Sequence, residues 1–256
     1  MNIFKQLIVS LYSPKDISTF RSQGIWKTIL FIFILTLVAS LPNMYIFSSS
    51  IQSGFKAFEN TVQNEIPDFT IQDGQLQSNE TAPITINNSD MTIVFDSTGT
   101  ITKENISGAD NTLFILQDEF AYSIAGQTQS SPYTILGDVT ITKADLKEMI
   151  GSMGSFIPLV ITIFIIIIYL SSSAMKFIEI TILALFGLVI KNMMQKNINY
   201  GGLWRLAAYS VTLPTIFFAV MDLLKTIVPS GFLIHWFVAV MMLLLSIKEI
   251  PSNKTE

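Results

Sequence analysis

The sequence contains no cysteine and a single histidine, His235, in 256 residues. Without cysteine there is no disulfide framework, thiolate zinc site, iron–sulfur cluster or cysteine nucleophile. One histidine leaves no material for a His-based triad or a multi-His metal site. Charge is scarce as well: Asp, Glu, Lys and Arg make up 13% of the chain, against roughly 25% in an average soluble domain. That shortage excludes a nucleic-acid binder built on basic patches, a disordered tail protein and an ordinary cytosolic enzyme. Half of the residues are hydrophobic, the mean hydropathy is +0.52, and the apolar residues are gathered into blocks.

Residues 28–47 (TILFIFILTLVASLPNMYIF) carry no charge, and that length crosses a roughly 30 Å hydrocarbon core as a helix. Four more candidates lie at 155–175, 177–195, 203–224 and 231–248. Between them is a polar stretch, 48–152, with 14 acidic and 4 basic residues. The first 27 residues have the opposite bias: Lys5, Lys15, Arg21 and Lys27 against Asp16 alone. Basic flanks stay in the cytoplasm, so the N-terminus is expected inside and residues 48–152 outside. The first apolar run is longer than the h-region of a signal peptide. It is followed by Leu41-Pro42-Asn43 where small residues would mark cleavage, so an uncleaved signal anchor is expected.

Segment lengths favour five crossings. Residues 155–190 would extend roughly 54 Å as one helix, and Ser171-Ser172-Ser173 offers a break. Four crossings, with 155–190 partly re-entrant or interfacial, would instead keep Lys191, Lys196, Arg205 and Lys248 on the cytoplasmic side, as the basic-residue count prefers. The expected architecture is an α-helical multi-pass membrane protein of about five transmembrane helices. A small α+β extracytoplasmic domain is inserted after the first helix. The divisions are 1–26 (cytoplasmic amphipathic segment), 27–47 (first crossing), 48–152 (external domain), 153–250 (a bundle of about four helices) and 251–256 (tail).

Within residues 1–26, Ile3, Phe4, Leu7, Ile8 and Leu11 recur at helical spacing opposite Lys5, Gln6 and Ser10. That pattern predicts an amphipathic helix along the inner membrane surface. Ser13-Pro14 predicts the N-cap and first position of a second short helix ending before Gly24. In the external stretch, residues 48–63 are expected to prolong the first membrane helix. Beyond Pro67 the period becomes two. Asp73-Gly74 marks a type I′ hairpin, and 84–86, 91–95 and 139–142 alternate as strands. Leu113–Leu116 reads as a buried strand, and Thr142-Lys143-Ala144-Asp145 starts a helix. Phe95-Asp96-Ser97-Thr98-Gly99 shares elements with the Asp-Thr-Gly signature of aspartic proteases, whose chemistry needs two carboxylates sharing a proton. There is no second copy, so a polar turn is expected. The acceptor patterns at Asn79, Asn87 and Asn105 are those expected by chance in so Ser/Thr/Asn-rich a stretch.

Ionisable residues in membrane helices are functional candidates because their burial is costly. They are Lys176, Glu179, Arg205, Asp222, Lys225 and His235. Lys176/Glu179 and Asp222/Lys225 are each three apart and can pair on a helix face. Both pairs, and His235 beside Trp236, are expected at the ends of apolar runs, in the interface. Pro214 must free a backbone carbonyl one turn earlier. Ser210, Thr212 and Thr215 could help satisfy it, so Tyr209 to Pro214 is a candidate kink.

The opening FKQLIVSLYSPKDISTFRSQGIWKTIL, the F-D-S-T-G turn and the late GGLWRLAAYSVTLPT stretch resemble the domain-of-unknown-function 1189 family of bacterial integral membrane proteins. Leu-Tyr-Ser-Pro-Lys with Phe20-Arg21 is the most specific part. The Tyr209 to Pro214 element is also similar to Yip/Yif-type membrane proteins, in which the preceding stretch is cytosolic. The resemblance implies a multi-pass plasma-membrane protein without established catalytic residues. Some members are labelled maltodextrin-utilisation proteins, which implies association with sugar uptake. The expected function is that of a non-enzymatic envelope protein whose external domain binds or senses a ligand or partner. An accessory of an oligosaccharide transport system is the alternative. No cofactor, metal or nucleic acid is expected; the expected partners are the bilayer, other membrane proteins or a second copy. The candidate functional or packing positions are Arg21, Tyr209, Pro214, Asp222, Lys225 and His235.

Overall fold

The computed structural model describes residues 1–88, 91–102, 106 and 109–251. The chain divides into two units, Met1–Ser48 with Thr162–Glu256, and Ser49–Ile161.

The first unit is helical. Helix α1 covers Ile3–Val9 and α2 Pro14–Thr19, followed by a 3₁₀ turn at Phe20–Ser22 and by α3, Ile25–Asn64. After the second unit come α5 (Ile157–Met193), α6 (Tyr200–Ser210), α7 (Thr212–Leu223) and α8 (Gly231–Lys248). Among the described residues four stretches are long and apolar enough to cross a membrane: α3, α5, the α6–α7 pair and α8. The two segments expected at 155–175 and 177–195 are thus one unbroken helix. Ser171, Ser172 and Ser173 do not interrupt it, because serine costs an α-helix only about 0.5 kcal/mol relative to alanine. No glycine or proline lies between Pro158 and Gly187. A Cβ on Gly187 would lie 3.2 Å from Leu203 and 3.3 Å from Leu243; glycine there lets α6 and α8 approach α5 closely.

Ser13 caps α2 as its sequence predicts, accepting from the Asp16 N–H with Pro14 in the first turn. Helix α1 forms where the spacing predicts it. Its buried face is Gln6, Val9 and Ser10, while Phe4 is 68% and Ile8 56% exposed. Gln6 turns inward to hydrogen-bond partners in the bundle, Ile3 and Leu7 pack against the helical core, and Phe4 and Ile8 turn outward.

The second unit is built on two sheets. Strands β1 (Phe69–Gln72) and β2 (Gln75–Ser78) form a hairpin, and β8 (Ile141–Thr142) pairs with β1. Asp73 and Gly74 take φ of 51° and 75°, the positive values a type I′ turn requires. The larger sheet has the order β3 (Ile84–Asn87), β4 (Thr92–Phe95), β5 (Thr112–Ile115), β6 (Glu119–Ile124), β7 (Gln127–Pro132). Among the described residues of this sheet, only the β4–β5 pair is parallel. One face packs Ile93, Phe95 and Ile115 against Val62, Ile66 and Ile150; the other packs Val94 and Phe114 around Ile106. Helix α4 (Lys143–Gly154) opens with a reciprocal capping box between Thr142 and Asp145, worth about 1 kcal/mol. Asn79 and Asn87 are exposed; Asn105 lies outside the described residues.

The β4–β5 crossover begins at Asp96, which is fully buried. Its carboxylate accepts from Thr98 N–H at 2.8 Å, Thr98 Oγ1–H at 2.6 Å and Ile101 N–H at 2.7 Å. The motif is therefore a closed polar turn with its acceptor fully used. Burial pushes the Asp96 carboxyl up, but these hydrogen bonds outweigh it and hold it below the usual carboxylate range. A carboxyl whose folded value is depressed stabilises fully above its unfolded value, about 3.9, and loses that contribution as pH falls through the folded value. Asp96→Asn is expected to destabilise the sheet unit by about 1.5–3 kcal/mol at neutral pH. It should also flatten the acid limb of the stability–pH curve, read by thermal unfolding between neutral pH and strong acid.

Candidate functional site

Lys176 and Glu179 lie in the middle of α5, not at its end, because α5 runs through the expected break. From Glu179 to Lys191 the helix rises about 18 Å, and from His235 to Lys248 α8 rises about 20 Å. Lys176 and Glu179 are therefore not at the end of an apolar run, whereas His235, four residues after Gly231, is near the start of α8.

The three ionisable side chains meet. Lys176 Nζ donates to Glu179 Oε2 at 2.7 Å and to Thr215 Oγ1 at 3.0 Å. His235 Nε2 lies 2.7 Å from Glu179 Oε1, so each carboxylate oxygen has one nitrogen partner. Their side chains are 12%, 17% and 18% exposed, and the Phe218 ring lies 5.7 Å from the imidazole. A charge pair this secluded persists because each partner satisfies the other.

Around the cluster the helices leave a cavity of about 270 Å³. Thr36, Ser40 and Asn43 line it from α3, Ser172, Lys176 and Glu179 from α5, and Thr215 from α7. Thr36 Oγ1 is buried without a hydrogen-bond partner. A second cavity of about 420 Å³ shares Asn43 and is lined by Asp222, Lys225 and Thr226. Asn43 Nδ2 donates to Asp222 Oδ2 at 3.4 Å. Asp222 and Lys225 therefore line one space, but among the described residues no ion pair closes between them. The chain leaves α7 before Lys225, whose φ is 52°, so the i, i+3 helical geometry is lost.

Tyr209 anchors a separate polar network. It is fully buried, with ring centroids 4.6 Å from Phe20 and 4.2 Å from Phe31. Its hydroxyl donates to Gln6 Oε1 at 3.1 Å and accepts from Gln23. Gln6 Nε2 donates to Gln23 Oε1 at 2.8 Å, and Gln23 reaches Thr28 Oγ1 at 3.2 Å. Arg21 turns back on Ser18 O at 2.7 Å, and its own carbonyl accepts from Arg205 Nη1 at 3.0 Å. The N-terminal segment is thus latched to α6 at both Tyr209 and Arg205.

Pro214 is buried in the first turn of α7, and α6 and α7 part at Val211. The expected kink is present, but its expected hydroxyl support is not. Ser210 Oγ and Thr212 Oγ1 have no partner, and Thr215 is engaged by Lys176. Separating the helices at Val211 puts the proline where its missing N–H is least felt.

The second unit holds a cleft of about 280 Å³ lined by Phe58, Val62 and Ile66, by Leu113, Ile115 and Tyr133, and by Leu146 and Met149. The Tyr133 hydroxyl is buried without a hydrogen-bond partner. Burial, with Asp118 and Glu119 nearby, pushes it far above the usual phenol range, so it stays protonated.

Of the six positions proposed from sequence, the structure brings Arg21 and Tyr209 to one latch, Asp222 and Lys225 to one cavity, and His235 to the charge cluster. Glu179, Lys176, Thr215 and Asn43 complete these sites, and the signal that could have ranked Glu179 highest is a lone carboxylate inside a 37-residue apolar helix. No curated protein and no solved structure matches the chain. Residues 4–247 match the family described as protein of unknown function, DUF1189, and with nearly its whole length covered the chain belongs to that family.

Proposed function

We propose that this chain is a non-enzymatic multi-pass protein of the bacterial plasma membrane, with four crossings, both termini cytoplasmic and the sheet unit outside, where it binds an apolar or amphiphilic ligand. The carrying observation is the cleft in the sheet unit. Its lining is apolar on every side, and its volume is near the lower end for small-molecule sites. The orientation rests on the basic residues. Lys27 donates to Met1 O, Lys191 to Ile198 O, Lys196 to Ile250 O and Arg205 to Arg21 O. These groups share one end of the helical unit, and four crossings leave them all on the retained side.

Ligand binding is tested with a saturated acyl chain bearing a diazirine, photolysed with the full-length protein in nanodiscs. Adducts are expected on peptides containing 58–66, 113–120 and 141–149. Leu113→Trp, which fills the cleft, should reduce them about tenfold, a loss of about 1.4 kcal/mol in affinity. Adducts confined to the spanning helices would overturn the reading.

A second reading, an accessory of an oligosaccharide transport system, is favoured by the hydroxyl-lined cavity among α3, α5 and α7. Sugar uptake unchanged by deletion of the chain would remove it.

A further inference from the structure

The charge cluster in the helical unit sets two nitrogens on one carboxylate. Lys176 and Glu179 balance each other, and His235 adds a second nitrogen to the same carboxylate. We propose that Glu179 and His235 form a proton-binding site at the blind end of a polar half-channel that opens toward Asp222 and Lys225.

Three observations carry this. The first is contact: a carboxylate and an imidazole 2.7 Å apart can share one proton and titrate as a pair. Glu179 lines the cavity, so the arriving proton comes from water to the carboxylate, and a neutral Nε2 can take it on from there. The product is an imidazolium facing a carboxylate, or, after transfer of the Nε2 proton, a neutral imidazole facing a carboxylic acid. Either way the cluster gains one positive charge.

The second is access. The cavity at Glu179 and the larger one at Asp222 share Asn43, and the Asn43–Asp222 hydrogen bond joins their polar walls. Thr36 Oγ1 is a buried, unpartnered hydroxyl in that lining. Lys176 uses two of its three N–H groups in the bonds to Glu179 and Thr215. Unused donors around a space of this size are the conditions for ordered water.

The third is closure on the other side. Along α3, Phe31, Ile32 and Leu35, all fully buried, separate Thr36 from Thr28 and the Tyr209 network. Along α5, Ile180, Leu183 and Ala184 do the same between Glu179 and Lys191. Two polar regions are thus divided by a dry layer, and only one of them reaches the cluster.

The other charged groups on the packed elements are few. On α5 they are Lys176 and Glu179 themselves, then Lys191 at its end. Helices α6 and α7 carry Arg205 and Asp222, with Lys225 just beyond; α8 carries Lys248 at its far end. Helix α3 has none between Lys27 and Lys56. Among the described residues, Glu179 is the carboxylate within ion-pair distance of the imidazole.

His235 is the only histidine, so full-length protein labelled with ¹⁵N-histidine yields one imidazole signal. In sealed vesicles of known orientation, the compartment faced by Asp222 and Lys225 is taken from about pH 8 to about pH 5. That imidazole is expected to pass to its protonated pattern, whereas acidifying the opposite compartment leaves it unchanged. In Glu179→Gln the imidazole loses its partner carboxylate, and the one-sided response should be lost. An imidazole unaltered across this range, or one that follows the other compartment or both, would overturn the proposal. The sidedness arm uses the unaltered chain and stands even where the variant does not fold.

Discussion

Glu179→Leu is expected to lower the stability of the helical unit by about 3–5 kcal/mol, the cost of leaving a secluded charge without its partner. Lys176 Nζ would keep only Thr215, and His235 would lose its carboxylate. Lys176→Met alone should cost less, since Glu179 retains His235 at 2.7 Å. The double variant Lys176→Met with Glu179→Leu should recover much of the loss, because an apolar pair of similar volume removes the desolvation problem. Thermal unfolding of all four proteins in nanodiscs completes the double-mutant cycle. Additive losses would mean that the pair is solvated in the bundle and structurally idle. Strong coupling would show that the site is held against a desolvation cost, which is the condition for any role in binding a proton or solute.

This cluster also shows where sequence reading reaches and where it stops. Local signals translate well. The Ser13-Pro14 cap, the Asp73-Gly74 turn and the Thr142/Asp145 box each depend on neighbours within a few residues, and all are present. The continuity of α5 was obscured because a serine triplet beside an ionisable pair looks like a boundary. Inside a long apolar helix it is only a small propensity loss. Strands β6 and β7 left little signal for a different reason. In β6 the small residues Ala121 and Ser123 face inward while Phe120, Tyr122 and Ile124 face outward. The usual alternation is present with its sign reversed. The meeting of Glu179 with His235, which are 56 positions apart, is tertiary and has no local trace.

Helix α1 presents the same problem in sharper form, and Tyr209 is where it can be tested. The sequence pattern of α1 suggests a segment lying on the bilayer by its apolar face, yet Gln6 is buried against Tyr209 and Gln23. Tyr209→Ala is expected to cost about 3–5 kcal/mol, the range for emptying a large aromatic site. Phe20 and Phe31 would lose the ring between them. Tyr209→Phe is the more informative variant. It keeps the ring and removes one hydroxyl, leaving Gln6 and Gln23 short of a partner at about 1–3 kcal/mol. If the latch holds α1 to the bundle, Tyr209→Phe should speed tryptic cleavage after Lys5 and Lys15 while lowering global stability less than Tyr209→Ala does. Gln6→Leu added to it should not restore protection, because Gln23 then loses the Gln6 amide as well. Cleavage equally slow in wild type and Tyr209→Phe would mean that the apolar face, with Phe4 and Ile8, holds the segment by itself. The contrast separates two forces on one short helix: hydrogen bonds inward to the bundle, and exposed hydrocarbon outward.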